Sequence, residues 1–142
     1  MVEASSRGRS ILGDNMRILV PYDGTEHTKA ALESSLDIAR ENDGLLKVLH
    51  VYWDPKVREY GKTEVRDRYS LQILSKIKPR LERSNIKYEL LSKHDPDIPK
   101  TVIKTADTED VDLIVLGKQG LNNSYIECLR ANNGSDNAVL LV

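Results

Sequence analysis

The chain of 142 residues carries one cysteine, Cys128, one tryptophan and no phenylalanine. One cysteine excludes an intrachain disulfide framework and a cysteine-rich metal site. It fits a reducing compartment, and the cytoplasm is the expected location. With no Phe and only 5 % aromatics, the core must be built from Leu, Ile and Val. Neither sign of charge dominates, with 21 Lys+Arg against 22 Asp+Glu, which argues against a nucleic-acid partner. No apolar run approaches the ~18–20 residues of a membrane helix, so no membrane partner is expected. Arg7 and Arg9 precede no apolar segment of the kind a secretory signal needs.

Several catalytic signatures are missing too. There is no GxxxxGK[ST], which disfavours a P-loop kinase or ATPase, and no GxGxxG after the first strand. There is no GxSxG elbow and no HExxH. The three histidines, His27, His50 and His94, are scattered. They read as surface or strand-end residues, and no metal site is expected.

The length suits one domain of roughly 100–150 residues. Residues 1–15 are rich in Ser, Gly and charge, and read as a disordered extension or expression remnant. The patterned domain is 16–142.

Within it, RILVPYD (17–23) is a short apolar run ending in Asp23-Gly24, as a buried parallel strand reads. Residues 25–42 follow a helical period, with Thr25 as N-cap and Asn42-Asp43-Gly44 as the stop. Residues 45–53 read as a second strand. A helix is predicted over 63–85, with Pro79 kinking it or ending it near Lys78. A third strand follows at 86–92. The next helix is placed at 97–107, where Pro99 is tolerable in the first turn. VDLIVL (111–116) is the clearest buried strand, closed by Gly117-Lys118-Gln119-Gly120. A short helix at 124–131 stops near Gly134, and a last strand spans 138–142.

Strict β-α alternation predicts a parallel sheet with helices on both faces. Ligands in such sheets sit beyond the carboxyl ends of the strands, where strand order reverses. The residues to inspect lie after strands one, two and four: Asp23, 51–54 and 117–124.

Those residues carry a family likeness. RILVPYDGTEHTKAAL, LLKVLHVYW and HDPDIPKTVIKTADTEDVDLIVLGKQG resemble, in order, three blocks of the universal stress protein family. The likeness runs over 17–142. It implies a three-layer, doubly wound five-stranded sheet of order 3-2-1-4-5, of the adenine nucleotide alpha hydrolase type. It also implies a homodimer that often pairs its last strands, here 138–142, whose apolar edge would recruit a partner. In one subfamily it implies ATP bound without a P-loop.

Carried onto this chain, the likeness places Pro21 and Asp23 beside the adenosine and Val51 at the backbone that pairs with the adenine edge. The turn-residue reading of Asp23 and the buried-valine reading of Val51 stand beside these. Gly117 and Gly120 match the first half of the family's G-x2-G-x9-G-[S/T] phosphate motif, where glycines let backbone N–H groups approach a phosphate. Lys118 between them would add positive charge, or is simply solvated.

The pattern then departs from the family. The closing glycine would stand at 130, which is Arg130. Gly134-Ser135 lies too close to the last strand to open a helix. Asn123-Ser124 is the better match to the closing pair, with Glu127 at capping-box spacing from Ser124. On that alignment the loop is about seven residues shorter than the family's, which argues against tight ATP binding. Cys128 reads as a buried structural thiol.

Two functions follow. The first is a stress-response regulatory or binding protein with a degenerate adenine-nucleotide site, requiring no cofactor, that takes ATP or AMP weakly if at all. The alternative is a slow ATP hydrolase or nucleotidyl-transfer enzyme. A phosphoacceptor receiver is disfavoured, because the third strand ends in Ser92-Lys93-His94 rather than in Asp.

Overall fold

The computed structural model describes residues 16–55, 63–131 and 137–142. The readings of 1–15 and of Gly134, and most of the charged run 56–68, lie outside the described residues and side chains.

The chain order is β1 (Arg17–Pro21), α1 (Glu26–Asn42), β2 (Leu45–Tyr52), α2 (Thr63–Leu74), α3 (Lys78–Arg83), β3 (Lys87–His94), α4 (Ile98–Thr108), β4 (Leu113–Leu116), a 3-10 turn (Lys118–Gly120), α5 (Asn123–Ala131) and β5 (Ala138–Leu141). The five strands form one sheet in the order β3-β2-β1-β4-β5, and every pairing is parallel. This is the doubly wound arrangement expected from the β-α alternation.

Period-two alternation sorts β1 between the two faces. Ile18 and Val20 join Leu32, Leu36, Val48 and Leu81 beneath α1 and α3. Leu19 joins Leu49, Val102, Val111 and Ile114 beneath α4. Ile18, Leu19 and Val20 are all 0 % exposed, so β1 lies at the centre of both layers. No described helix is long and apolar enough to cross a membrane.

Two local expectations need correction. The helix over 63–85 is two helices, and the first ends at Leu74, before Pro79. Pro79 sits in the first turn of α3, where its missing N–H costs nothing. Thr25 stands at the N-cap of α1 but makes no side-chain cap bond, because its hydroxyl turns back to Asp23. At the other end, α1 stops at Asn42-Asp43-Gly44 as expected, with Asp43 left-handed at φ 50°. Asp and Asn tolerate that region better than most side chains.

The core contains one buried cation. Lys47 points from β2 into the α4 layer with its side chain 6 % exposed. Its Nζ donates to Glu89 Oε1 on β3 at 2.6 Å and to Glu109 Oε1 just beyond α4 at 3.1 Å. Burial would lower the Lys47 pKa, but hydrogen bonds to both carboxylates, and their charges, outweigh it and hold the ammonium above its ordinary value.

A raised lysine contributes stability below its unfolded pKa and loses it as pH climbs through the folded value. The triad's contribution is therefore complete at neutral pH and lost as pH rises beyond 10.5. Lys47→Met should leave stability within about 1 kcal/mol of wild type, since the apolar side chain fills the buried site and Glu89 and Glu109, both partly exposed, keep access to water. The double change Glu89→Ala/Glu109→Ala strands the ammonium and should cost about 2 kcal/mol, discounted because both carboxylates are partly exposed. Urea unfolding of the two variants at pH 7 and pH 11 checks both statements.

Candidate functional site at the carboxyl edge of the sheet

The sheet order reverses between β1 and β4, and the loops leaving those strands diverge there. A cleft of about 970 Å³ opens at this edge. Asp23 and His27 line it from the β1 side, Pro96 to Pro99 from the β3–α4 loop, and Gly120, Ser124 and Tyr125 from the β4–α5 side.

Asp23 is held by its own loop. Its Oδ1 accepts from the Thr25 N–H at 3.0 Å, the Thr25 hydroxyl at 2.6 Å and the Thr28 hydroxyl at 3.0 Å. Burial works to raise the Asp23 pKa, but these Thr25 and Thr28 bonds, with the nearby His27, outweigh it and hold the carboxyl below its ordinary value. All three donors fall on Oδ1. Among the described residues no donor reaches Oδ2, which leaves it available to a ligand hydroxyl or amine.

The glycine turn after β4 packs on the first turn of α1. A Cβ at Gly117 would overlap the His27 backbone carbonyl, and a Cβ at Gly120 would overlap the His27 imidazole. The two glycines thus admit a close approach between α1 and the turn. The turn also uses its own donors. Lys118 N–H donates to the Val142 carbonyl at 2.9 Å, Gly120 N–H to Gly117 at 3.0 Å and Leu121 N–H to Lys118 at 3.2 Å.

At α5, Asn122 Oδ1 accepts the Tyr125 N–H at 3.0 Å. Asn122 is therefore the capping residue. The expected Ser124–Glu127 capping box does not form, because Ser124 already lies inside the first turn. Tyr125 packs against the core layer that contains Val51. Burial first, then the charges of Asp23 and Cys128, push its phenol well above the ordinary value, so it is neutral.

The expected site residues thus divide. Asp23, Gly120 and Ser124 line the cleft. Pro21 is half-buried at the end of β1, Val51 is buried in β2, and Gly117 is buried under His27. Lys118 and Asn123 are exposed outside the cleft lining.

The stretch after β2 is closed by its own packing. Trp53 stacks on His94 at 4.7 Å, Tyr52 on His50 at 5.4 Å, and Asp54 N–H donates to His94 Nε2 at 3.0 Å. His50 is a core residue, 6 % exposed and bonded through Nδ1 to the Ser70 hydroxyl at 3.0 Å, not the surface or strand-end residue expected. Burial lowers its pKa, with Asp23 opposing. Cys128 is half-buried on the cleft wall, more accessible than a structural thiol.

Three contributors escape sequence reasoning. His27 meets the glycine turn only through the fold. Tyr125 has no motif. The β3–α4 loop was open to detection, since the carboxyl-edge rule applies to strand three as well as to one, two and four.

With this geometry in place, comparison with known proteins is direct. A universal stress protein family model matches residues 15–126, and the chain belongs to that family. No curated protein matches the sequence. The fold is similar to universal stress protein UspA from Lactobacillus plantarum, at TM-score 0.68 and 21 % identity over 89 % of this chain and 97 % of that one. It is similar to a universal stress protein from Burkholderia pseudomallei, at TM-score 0.63 and 22 % identity over 89 % and 94 %. It is also similar to one from Archaeoglobus fulgidus in complex with dAMP, at TM-score 0.58 and 17 % identity over 89 % and 96 %. At these identities the likeness is one of fold.

The two glycines make separable predictions. Gly120→Ala should destabilise by about 1–3 kcal/mol as an overpacking change, and the loss should largely vanish in a His27→Ala background. Gly117→Ala should cost as much in either background, because its obstacle is the His27 backbone. A double-mutant cycle by denaturant unfolding measures both couplings.

Proposed function

We propose that the protein is a regulatory binding protein of the stress response that takes an adenine-type ligand at a weakened site and does not turn it over efficiently. One observation carries this reading: the cleft at the β1/β4 strand-order reversal gathers Asp23, Gly120 and Ser124 in one wall system. Asp23 there is suited to a ribose hydroxyl, and the dAMP-bound relative from Archaeoglobus fulgidus supports an adenine nucleotide as the ligand type. ATP or AMP would be bound weakly, through the spare acceptor of Asp23 and the first turn of α5 at Ser124. Pro21, Val51 and Gly117 would support the site from behind rather than grip the ligand, with Lys118 and Asn123 outside it.

The reading as a hydrolase or transferase is less well supported. Such an enzyme needs a base near the transferring group. Asp23 has its pKa held down by Thr25 and Thr28, which makes it a weak base at neutral pH.

The same reading makes the protein a cytoplasmic homodimer joined through β5. Val139, Leu140 and Leu141 are 39 %, 37 % and 45 % exposed, and β5 pairs with β4 on one edge alone. An open apolar edge of this kind recruits another strand or surface.

Titration calorimetry should give ATP dissociation constants weaker than about 10 μM, with phosphate release at background rates. Sub-micromolar ATP binding that is lost in Asp23→Asn would overturn the weakened-site reading. Light scattering should return twice the chain mass, and Leu140→Glu should shift it toward one chain. A wild-type monomer at all concentrations would overturn the β5 pairing.

A further inference from the structure

The cleft is well formed, but its chemistry is wrong for phosphate. Among its described lining residues, three carry carboxyl groups (Asp23, Asp97 and Glu127), and none is Lys or Arg. Lys29, Lys100, Lys118 and Arg130 lie within two residues of lining positions, but all stand outside the lining. Asp97 is fixed in place, because its Oδ1 accepts the Lys100 N–H at 3.1 Å as the cap of α4. Glu127 rides on α5 two residues beyond Tyr125.

Four of the backbone donors that could otherwise cradle an anion are used internally. Lys118, Gly120 and Leu121 all donate within the β4 turn or to Val142, and Tyr125 donates to Asn122. The His27 carbonyl and ring also pack against the Cα faces of Gly117 and Gly120. A nest of N–H groups binds anions only while those groups are free.

The rest of the cleft suits a flat, uncharged ligand. Pro96, Ile98 and Pro99 give an apolar wall on the β3–α4 side, and Tyr125 and Cys128 give another on α5. Pockets for heterocycles combine apolar walls with a few placed polar groups. Asp23 Oδ2 supplies an acceptor suited to a sugar diol.

Resting on the reading of this cleft as an adenine-type site, we propose that it selects the nucleoside over the nucleotide: adenosine-class ligands bind, and each added phosphate weakens binding. The discrimination is electrostatic. A phosphate monoester brings about −1.5 to −2 charges at neutral pH, and like charges facing each other across a binding surface are strongly disfavoured. Asp23, Asp97 and Glu127 thereby act as specificity determinants.

Titration calorimetry with adenosine, AMP and ATP in the same buffer tests this. Adenosine should bind about tenfold or more tightly than AMP, and AMP more tightly than ATP. The adenosine-to-AMP ratio should shrink at 0.5 M salt, where charges are screened. It should shrink as well in Asp97→Asn/Glu127→Gln, in which Asn can still cap α4. AMP or ATP binding as tightly as adenosine would overturn the selectivity while leaving the adenine-type reading intact. A ratio unmoved by both salt and the double variant would overturn the electrostatic cause. No heat and no thermal shift with any of the three ligands would overturn the adenine-type reading itself, and the selectivity with it.

Discussion

β1 is hydrogen-bonded on both edges, to β2 and to β4, and its central residues are sealed on both faces. A strand held this way cannot slide, because a one-residue slip would exchange Ile18 and Val20 with Leu19 between two different cores. The loop that leaves it is correspondingly fixed. Asp23 follows at once, and α1 begins within a few residues. The first turn of α1 then seats His27 on the glycines after β4. The position of the cleft therefore follows from the burial of one five-residue strand.

The same packing explains why the site departs from a phosphate grip. In a short β4–α5 connection there is little chain to wrap a ligand, so the backbone closes on itself. Gly117 and Gly120 keep the residue type that a phosphate loop uses, but here they make room for α1. The turn donors of Lys118, Gly120 and Leu121 are satisfied by Val142, Gly117 and Lys118, and the Tyr125 N–H of α5 by Asn122. A buried polar group must find some partner, and once it finds an internal one it is no longer offered to a ligand. Motif identity and motif function separate at this point.

Charge acts on two levels. In the core, Lys47 is tolerated because two carboxylates reach it from β3 and from just beyond α4. At the carboxyl edge Asp23 leans on hydroxyl and amide donors instead. The first arrangement closes on itself. The second leaves acceptor capacity facing the cleft.

Much of the architecture was legible in the residues. Strand and helix alternation, the buried runs RILVP and LIVL, and the turn at Asp23-Gly24 all depend on local periodicity and turn chemistry, which a linear sequence records directly. Family likeness extended that to strand order. Pro79 was misjudged because a proline looks the same at the end of one helix and in the first turn of the next. The capping box at Ser124 failed for a similar reason: Asn122, two residues earlier, was a competing cap of equal quality. His27, Tyr125 and the true role of Gly117 and Gly120 were beyond the sequence. Each depends on a contact between segments tens of residues apart, and no local pattern encodes such a contact. The sequence by itself determined which elements form and in what order. The tertiary structure alone decided which donors remain free at the carboxyl edge, because that depends on how closely α1, β4 and α5 approach one another.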